Sequence, residues 1–210
     1  DPKKLAIIRL NRHQNKMEVL LANAKVGTIV PLYREENKYY IDESNLDNLV
    51  FLDNGTQFVI TSEKSGYMHL YLYDLNGRER QAITKGNFDI IDFYGYDPVR
   101  KLFYYSSYEE SPLEKYIYSI NEKGLKKKLT PVKGWNEASF SKNFNYYINV
   151  VSNTDTPPVT ALYNAKGKQV RVLEDNKAVK EAVKAYNLAK PEFIQIPAAD
   201  GKTMLNAWIM

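Results

Sequence analysis

The chain has 210 residues, 44% of them hydrophobic, 13% aromatic and 26% charged, with no Cys, two His, 10 Gly and 9 Pro. That is enough for one sizeable core or two modest ones, and it excludes a disordered, collagenous or low-complexity polypeptide. The 29 Lys plus Arg against 25 Asp plus Glu leave a formal +4, too mild and too dispersed for a nucleic-acid surface, and the absence of Cys removes disulfides, thiolate nucleophiles, iron-sulfur sites and Cys-ligated zinc.

From the N-terminus, "KLAIIRLN", "KMEVLLANAK" and "TIVPLYRE" within residues 1–37 read as strands of one unit whose outermost partner strand is missing or lies upstream. Four strands are then predicted at 48–52, 57–62, 68–75 and 79–84, and the pattern returns over 90–130 and 137–174. Asn76-Gly77, Lys123-Gly124 and Lys166-Gly167 each fall between two apolar runs, where Gly supplies the positive φ of a tight hairpin. The 17 Tyr suit half-buried strands, because the ring closes a core while the hydroxyl finds a polar partner.

The spacing says more than the single strands. Phe58, Phe103 and Tyr147 align at offsets of 45 and 44 residues, and Tyr73, Tyr118 and Tyr163 at 45 and 45. A four-strand unit returning at one period, too small to bury its own faces, is the pattern of propeller blades; a sandwich has no reason to keep the period. The expected fold is therefore all-β, a partial β-propeller of about four four-stranded antiparallel blades with the first truncated, over residues 1–175.

After Asp175 the pattern changes. "NKAVKEAVKAYNL" places Val179, Val183 and Tyr186 or Asn187 near one face of a short amphipathic helix, with Asn176 as the expected N-cap. "EFIQIPAADGKTMLNAWIM" reads as a strand, an Asp200-Gly201 turn and a second strand, so residues 176–210 form a linker helix and the start of a further domain.

The chain contains no G-x-S-x-G elbow, HExxH, P-loop or GxGxxG. His13 and His69 are read as structural or surface imidazoles. The Glu35-Glu36 and Glu109-Glu110 pairs are assigned to solvated loops, since adjacent carboxylates on a strand point to opposite faces. Lys126-Lys127-Lys128 is read as a solvated strand edge rather than a phosphate site. The aromatics of "FYGY" and "FYY" are expected between blades, and Ser62, Glu63, Ser65 and Gly66 are expected to tie loops together.

The stretches "LNRHQN" at 10–15, "LDNGTQFVITSEKSGYMHLYLYD" at 52–74, "ITKGNFDI" at 83–90, "YYSS" at 104–107, "SFSKNFNYY" at 139–147 and "RVLEDN" at 171–176 resemble the dipeptidyl peptidase IV family within the prolyl oligopeptidase group, and a bacterial member of it. The resemblance implies the C-terminal part of an N-terminal propeller, followed by an α/β-hydrolase domain with the active site in the cavity between them. The implied activity is a serine exopeptidase removing N-terminal X-Pro or X-Ala dipeptides. The Ser, Asp and His of such enzymes lie in the hydrolase part, and their ammonium-binding Glu pair follows an Asp-Trp that "SYEES" at 107–111 lacks. No catalytic, cofactor-binding or metal-ligating residue is therefore assigned to these 210 residues, which are expected to be inert alone. Implied partners are peptides with penultimate Pro or Ala in the full-length parent and the hydrolase domain of the same chain, with a parent homodimer left open. No cofactor, nucleic acid or membrane span is expected, and a periplasmic or cell-envelope location is implied. A stand-alone propeller-type module that binds protein or peptide is the alternative.

Overall fold

The structure, a computed structural model, describes residues 3–43, 49–52, 55–186 and 188–210. Residue 48 of the first expected strand, Asp53 and Asn54 of the 52–74 stretch, and Asn187 of the helix lie outside them. The chain divides into two units, residues 1–129 and 130–210.

The first unit holds three antiparallel sheets. The first is β1 (Lys4–Leu10), β2 (Lys16–Asn23) and β3 (Ile29–Glu36), in that order. The second is β4 (Val50–Phe51), β5 (Gln57–Ser62), β6 (His69–Asp74) and β7 (Glu79–Ala82). The third is β8 (Ile90–Asp97), β9 (Leu102–Ser107), β10 (Tyr116–Asn121) and β11 (Lys126–Lys128). Each is a meander of sequential neighbours, the internal topology of a propeller blade.

The pleat explains the burial. On β5 and β6, Phe58, Ile60, Tyr71 and Tyr73 join Met17, Val19, Leu32 and Tyr33 in one apolar cluster. Val59, Leu70 and Leu72 point the other way and join Phe103, Tyr105, Tyr118 and Ile120. The middle sheet is thus buried on both faces, which is why its strands read as continuous apolar runs rather than alternating ones.

The second unit begins with a fourth sheet of β12 (Trp135–Phe140), β13 (Tyr146–Asn153), β14 (Thr156–Asn164) and β15 (Gln169–Glu174). The helix α1 (Lys177–Ala185) and the hairpin of β16 (Glu192–Pro197) and β17 (Met204–Ile209) follow. With a three-stranded first sheet and three four-stranded successors, the architecture is the expected all-β partial propeller ending in a helix.

Three features differ from the sequence reading. Phe58, Phe103 and Tyr147 do occupy the same place, second in β5, β9 and β13, but only two of the three third-strand tyrosines align. Phe58 faces Tyr73 and Tyr147 faces Tyr163, whereas Phe103 faces Ile120 and Tyr118 faces Tyr105. The connection after β9 runs from residue 108 to 115, two residues longer than the 63–68 connection after β5. A slip of two keeps every side chain on its face, so the hydrophobic pattern hides it. Second, Asn176 adopts the left-handed conformation at φ 50° and makes no side-chain cap. Its amide donates to the Pro158 carbonyl at 2.5 Å, and the Asp175 carboxylate accepts the Lys177 N–H at 3.0 Å instead. Third, Glu109 and Glu110 are not simply solvated and Lys126 and Lys128 are not a free cationic edge, because these four residues pair with one another.

Candidate functional site

The loops that follow β5 and β9 carry organised polar chemistry. Ser62 and Ser107 close β5 and β9, and each hydroxyl accepts the N–H two residues on, from Lys64 at 3.0 Å and Glu109 at 3.1 Å. Gly66 takes φ 96° at the next bend, and the Ser65 hydroxyl accepts that of Tyr71 at 2.7 Å. The loop residues are therefore structural, as the sequence suggested.

The turn at Glu109-Glu110 gathers both carboxylates toward β11, where residues 126 and 128 share a face and Lys127 takes the other. Lys126 donates to Glu109 at 2.5 Å and Lys128 to Glu110 at 2.7 Å, while the Tyr118 hydroxyl donates to Glu110 at 2.9 Å. The Lys128 ammonium lies 3.4 Å from the centroid of the Tyr116 ring. The other pair ends β3 rather than lying in a solvated loop: Glu36 takes Lys16 at the surface, but Glu35, expected in solvent, is buried and accepts the Tyr33 hydroxyl at 2.5 Å, because adjacent strand residues face opposite ways.

The two motifs around His69 and Gly86 meet. Nε2 of His69 donates to the Gly86 carbonyl at 3.0 Å, since a carbonyl only accepts, which leaves Nδ1 to accept the Thr84 hydroxyl at 3.1 Å. The same Thr84 oxygen accepts the Leu70 N–H at 3.0 Å. Gly86 stands at φ 145°, and a Cβ there would lie 2.4 Å from the Phe88 ring, so only glycine lets that ring close over the turn. His69 is thus a buried structural imidazole, and His13 is exposed.

Two carboxylates show opposite electrostatics. Burial raises the Glu63 carboxyl above its ordinary range, and the charges of Asp89, Asp42 and Glu35 raise it further. Burial also acts against Asp92, but hydrogen bonds from Ser106 at 2.6 Å and Lys115 at 3.1 Å outweigh it and hold that carboxyl low. Phe93, Tyr96, Phe103 and Tyr105 join the cluster shared by the second and third sheets, the role expected of "FYGY" and "FYY", whereas the 4.7 Å contact of Tyr96 with Phe103 is a cross-strand pair within the third sheet.

The sequence reading missed a device repeated at every third-strand exit. Asp74, Asn121 and Asn164 end β6, β10 and β14, and each side-chain oxygen accepts two N–H groups of the following turn at 2.9 to 3.1 Å. Asn23, at the end of β2, does the same with Lys25 and Val26. The signal was present as Asx-x-x-Gly in "DLNG", "NEKG" and "NAKG". It also identifies β1, β2 and β3 with the second, third and fourth strands of the later sheets.

Among the described residues no group of three or more His, Asp or Glu could hold a metal ion, and no helix is long and apolar enough to cross a membrane. The sheets define a scaffold of propeller type. A family described as "Dipeptidyl peptidase IV (DPP IV) N-terminal region" matches residues 1–158, and the chain belongs to that family. It is 30% identical over 172 residues to dipeptidyl peptidase 4 of Trichophyton rubrum, covering 76% of this chain and 22% of that protein. It is 28% identical over 217 residues to dipeptidyl peptidase 4 of Arthroderma otae, covering 95% and 27%. The crystal structure of Porphyromonas gingivalis dipeptidyl peptidase 4 superposes with a TM-score of 0.94 at 38% identity, covering 99% of this chain and 29% of that one. The chain thus spans less than a third of each of these relatives.

Proposed function

We propose that this chain is a propeller portion of a bacterial dipeptidyl peptidase IV-type serine exopeptidase that removes N-terminal X-Pro or X-Ala dipeptides. Residues 1–175 form a wall and the substrate-access side of its active-site cavity, and residues 176–210 lead into the hydrolase domain that supplies the nucleophile, base and acid. The observation that carries this reading is the family match over residues 1–158. Covalent acyl transfer needs a nucleophile, a base and an oxyanion hole held together, and the polar groups described above are instead engaged in turns, ion pairs and a buried imidazole node. The helix and hairpin support the second half of the reading. Val179 and Val183 on α1, and Phe193 and Trp208 on the hairpin, are all exposed, with Trp208 at 65%, as surfaces awaiting a further domain would be. A periplasmic or cell-envelope location belongs to the same proposal.

The test is turnover of Gly-Pro-p-nitroanilide by the full-length parent and by the 210-residue chain, purified side by side. The parent is expected to hydrolyse it and the chain is not. A parent that binds peptides without cleaving them would replace this reading with an interaction module.

A further inference from the structure

The turns that follow β6, β10 and β14 share one geometry and differ in one chemical respect. They begin on Asp74, Asn121 and Asn164 and close on Gly77, Gly124 and Gly167, whose N–H groups donate to the carbonyls three residues back at 2.9 to 3.0 Å. The residue before the glycine is Lys123 or Lys166 in the later turns and Asn76 in the first. Asn76 is exposed, and among the described residues nothing bonds its carboxamide.

An asparagine before a glycine sets an electrophilic carbonyl beside an unshielded nitrogen. Gly77 has no side chain to crowd its nitrogen, and the freedom of glycine about φ lets that nitrogen swing toward the Asn76 Cγ. In the closed turn the Gly77 N–H is held by the Asp74 carbonyl at 3.0 Å, so attack waits on the opening of that bond. Turn bonds at the surface open far more readily than those of core strands. The same turn abuts the first sheet. A Cβ on Gly77 would lie 2.8 Å from the Leu32 carbonyl oxygen, whereas one on Gly124 would meet nothing within 4 Å. An extra backbone atom at Asn76 therefore has no room on that side.

We propose that Asn76 is a site of spontaneous deamidation in the folded chain, and that its isoaspartyl product loosens the contact between the first and second sheets. The Gly77 nitrogen bonds to Cγ as it gives up its proton, the Cγ–N bond breaks, and ammonia leaves with that proton, so a succinimide ring remains. Water then opens the ring: cleavage at Cγ leaves aspartate, and cleavage at the main-chain carbonyl leaves isoaspartate. Asn76 and Gly77 line an open groove with Leu32 and Tyr33, so water reaches the ring. The isoaspartyl link carries the backbone through Cβ and Cγ. It inserts one methylene before Gly77 and pushes the turn against Leu32. The chemistry needs no enzyme and stands apart from the peptidase reading.

The chain and its Asn76→Lys variant are aged in mildly alkaline buffer beside a urea-unfolded sample of the chain. Trypsin releases residues 65–78, in which Asn76 is the only asparagine, so mass spectrometry reads this site apart from Asn54, the other asparagine before a glycine. Conversion at Asn76 is expected in the folded chain, more slowly than in the unfolded sample, with a fall in the urea midpoint on ageing. Asn76→Lys carries the residue of the later turns and keeps the fold, and it is expected to escape that fall. An Asn76 amide that persists in the folded chain after the unfolded sample has converted would overturn the proposal. So would conversion with no fall in the midpoint, or an equal fall in aged Asn76→Lys.

Discussion

Lys64 and Glu109 stand at the same place in successive sheets and carry opposite charges. Each lies two residues beyond the serine that ends a second strand, and each pairs with the first residue of the fourth strand, Lys64 with Glu79 and Glu109 with Lys126. Third-strand tyrosines reinforce both loops: Lys64 itself donates to the Tyr73 hydroxyl at 2.6 Å, and the Tyr118 hydroxyl donates to Glu110, the neighbour of Glu109, at 2.9 Å. Attraction between loop and edge strand is thus preserved across sheets while its polarity is not.

A charge swap follows directly. Lys64→Glu and Glu79→Lys should each lower stability by about 1 kcal/mol, the scale of a partly exposed ion pair. The double variant should recover most of that loss, but not all, because the Lys64 ammonium also lies 4.0 Å from the Tyr71 ring centroid. Urea unfolding of the four proteins measures the cycle; losses that simply add would show that the pair does not interact.

Glu63 should reveal itself through pH. Its carboxyl is raised by burial and by Asp89, Asp42 and Glu35, so the ionised form is disfavoured in the fold. Stability is then regained as pH falls through the folded-state value, the reverse of a salt-bridged carboxylate. Glu63→Gln should melt higher than the parent sequence at pH 7, and the difference should close as the pH falls below ~4, where the carboxyl becomes neutral in both states. A variant that melts lower at neutral pH would contradict this.

How far these relationships could be read beforehand depended on range. Strands β5 and β9, the Gly77, Gly124 and Gly167 turns, and the hairpin at Asp200-Gly201 follow from local periodicity and turn chemistry, and all are present. The register of Tyr118 was hidden because a two-residue longer loop leaves the side-chain alternation intact. The Glu109–Lys126 and Glu110–Lys128 pairs were hidden because they join residues across an intervening strand, where the composition of either segment suggests only solvent. Asn176 was an obvious cap by residue type, yet the nearby Pro158 carbonyl drew its amide away.

The His69 node should be sensitive to the loss of one oxygen. Thr84→Val keeps the shape but leaves the Leu70 N–H and His69 Nδ1 without the hydroxyl that now serves both, at 3.0 and 3.1 Å. Buried groups left unmatched cost about 1–3 kcal/mol each, so a loss of about 2 kcal/mol is expected. Thr84→Ser, which keeps the oxygen, should lose less. Chemical denaturation of both variants separates hydrogen bonding from packing, and a larger loss in Thr84→Ser than in Thr84→Val would assign the role to the methyl group.

The hairpin turn supplies a local titration. Asp200 accepts hydrogen bonds from the Thr203 hydroxyl and from the Thr203 and Lys202 N–H groups, which lower its carboxyl to about 2. A depressed value means that its contribution is present above the ordinary carboxylate range and is lost as pH falls toward 2. The Thr203 amide resonance followed by NMR should therefore move with a midpoint near 2; a midpoint near ~4 would show that the turn contacts do not persist in solution.

The central claim is that these residues form a scaffold within a peptidase and do not themselves carry its nucleophile. Labelling with a fluorophosphonate, which reacts with activated serines, tests it directly when the full-length parent and the 210-residue chain are treated together and the modified residue is located by mass spectrometry. The expected result is one labelled serine in the parent, outside residues 1–210, and an unlabelled chain. A labelled serine within residues 1–210, or a parent with none, would contradict the account.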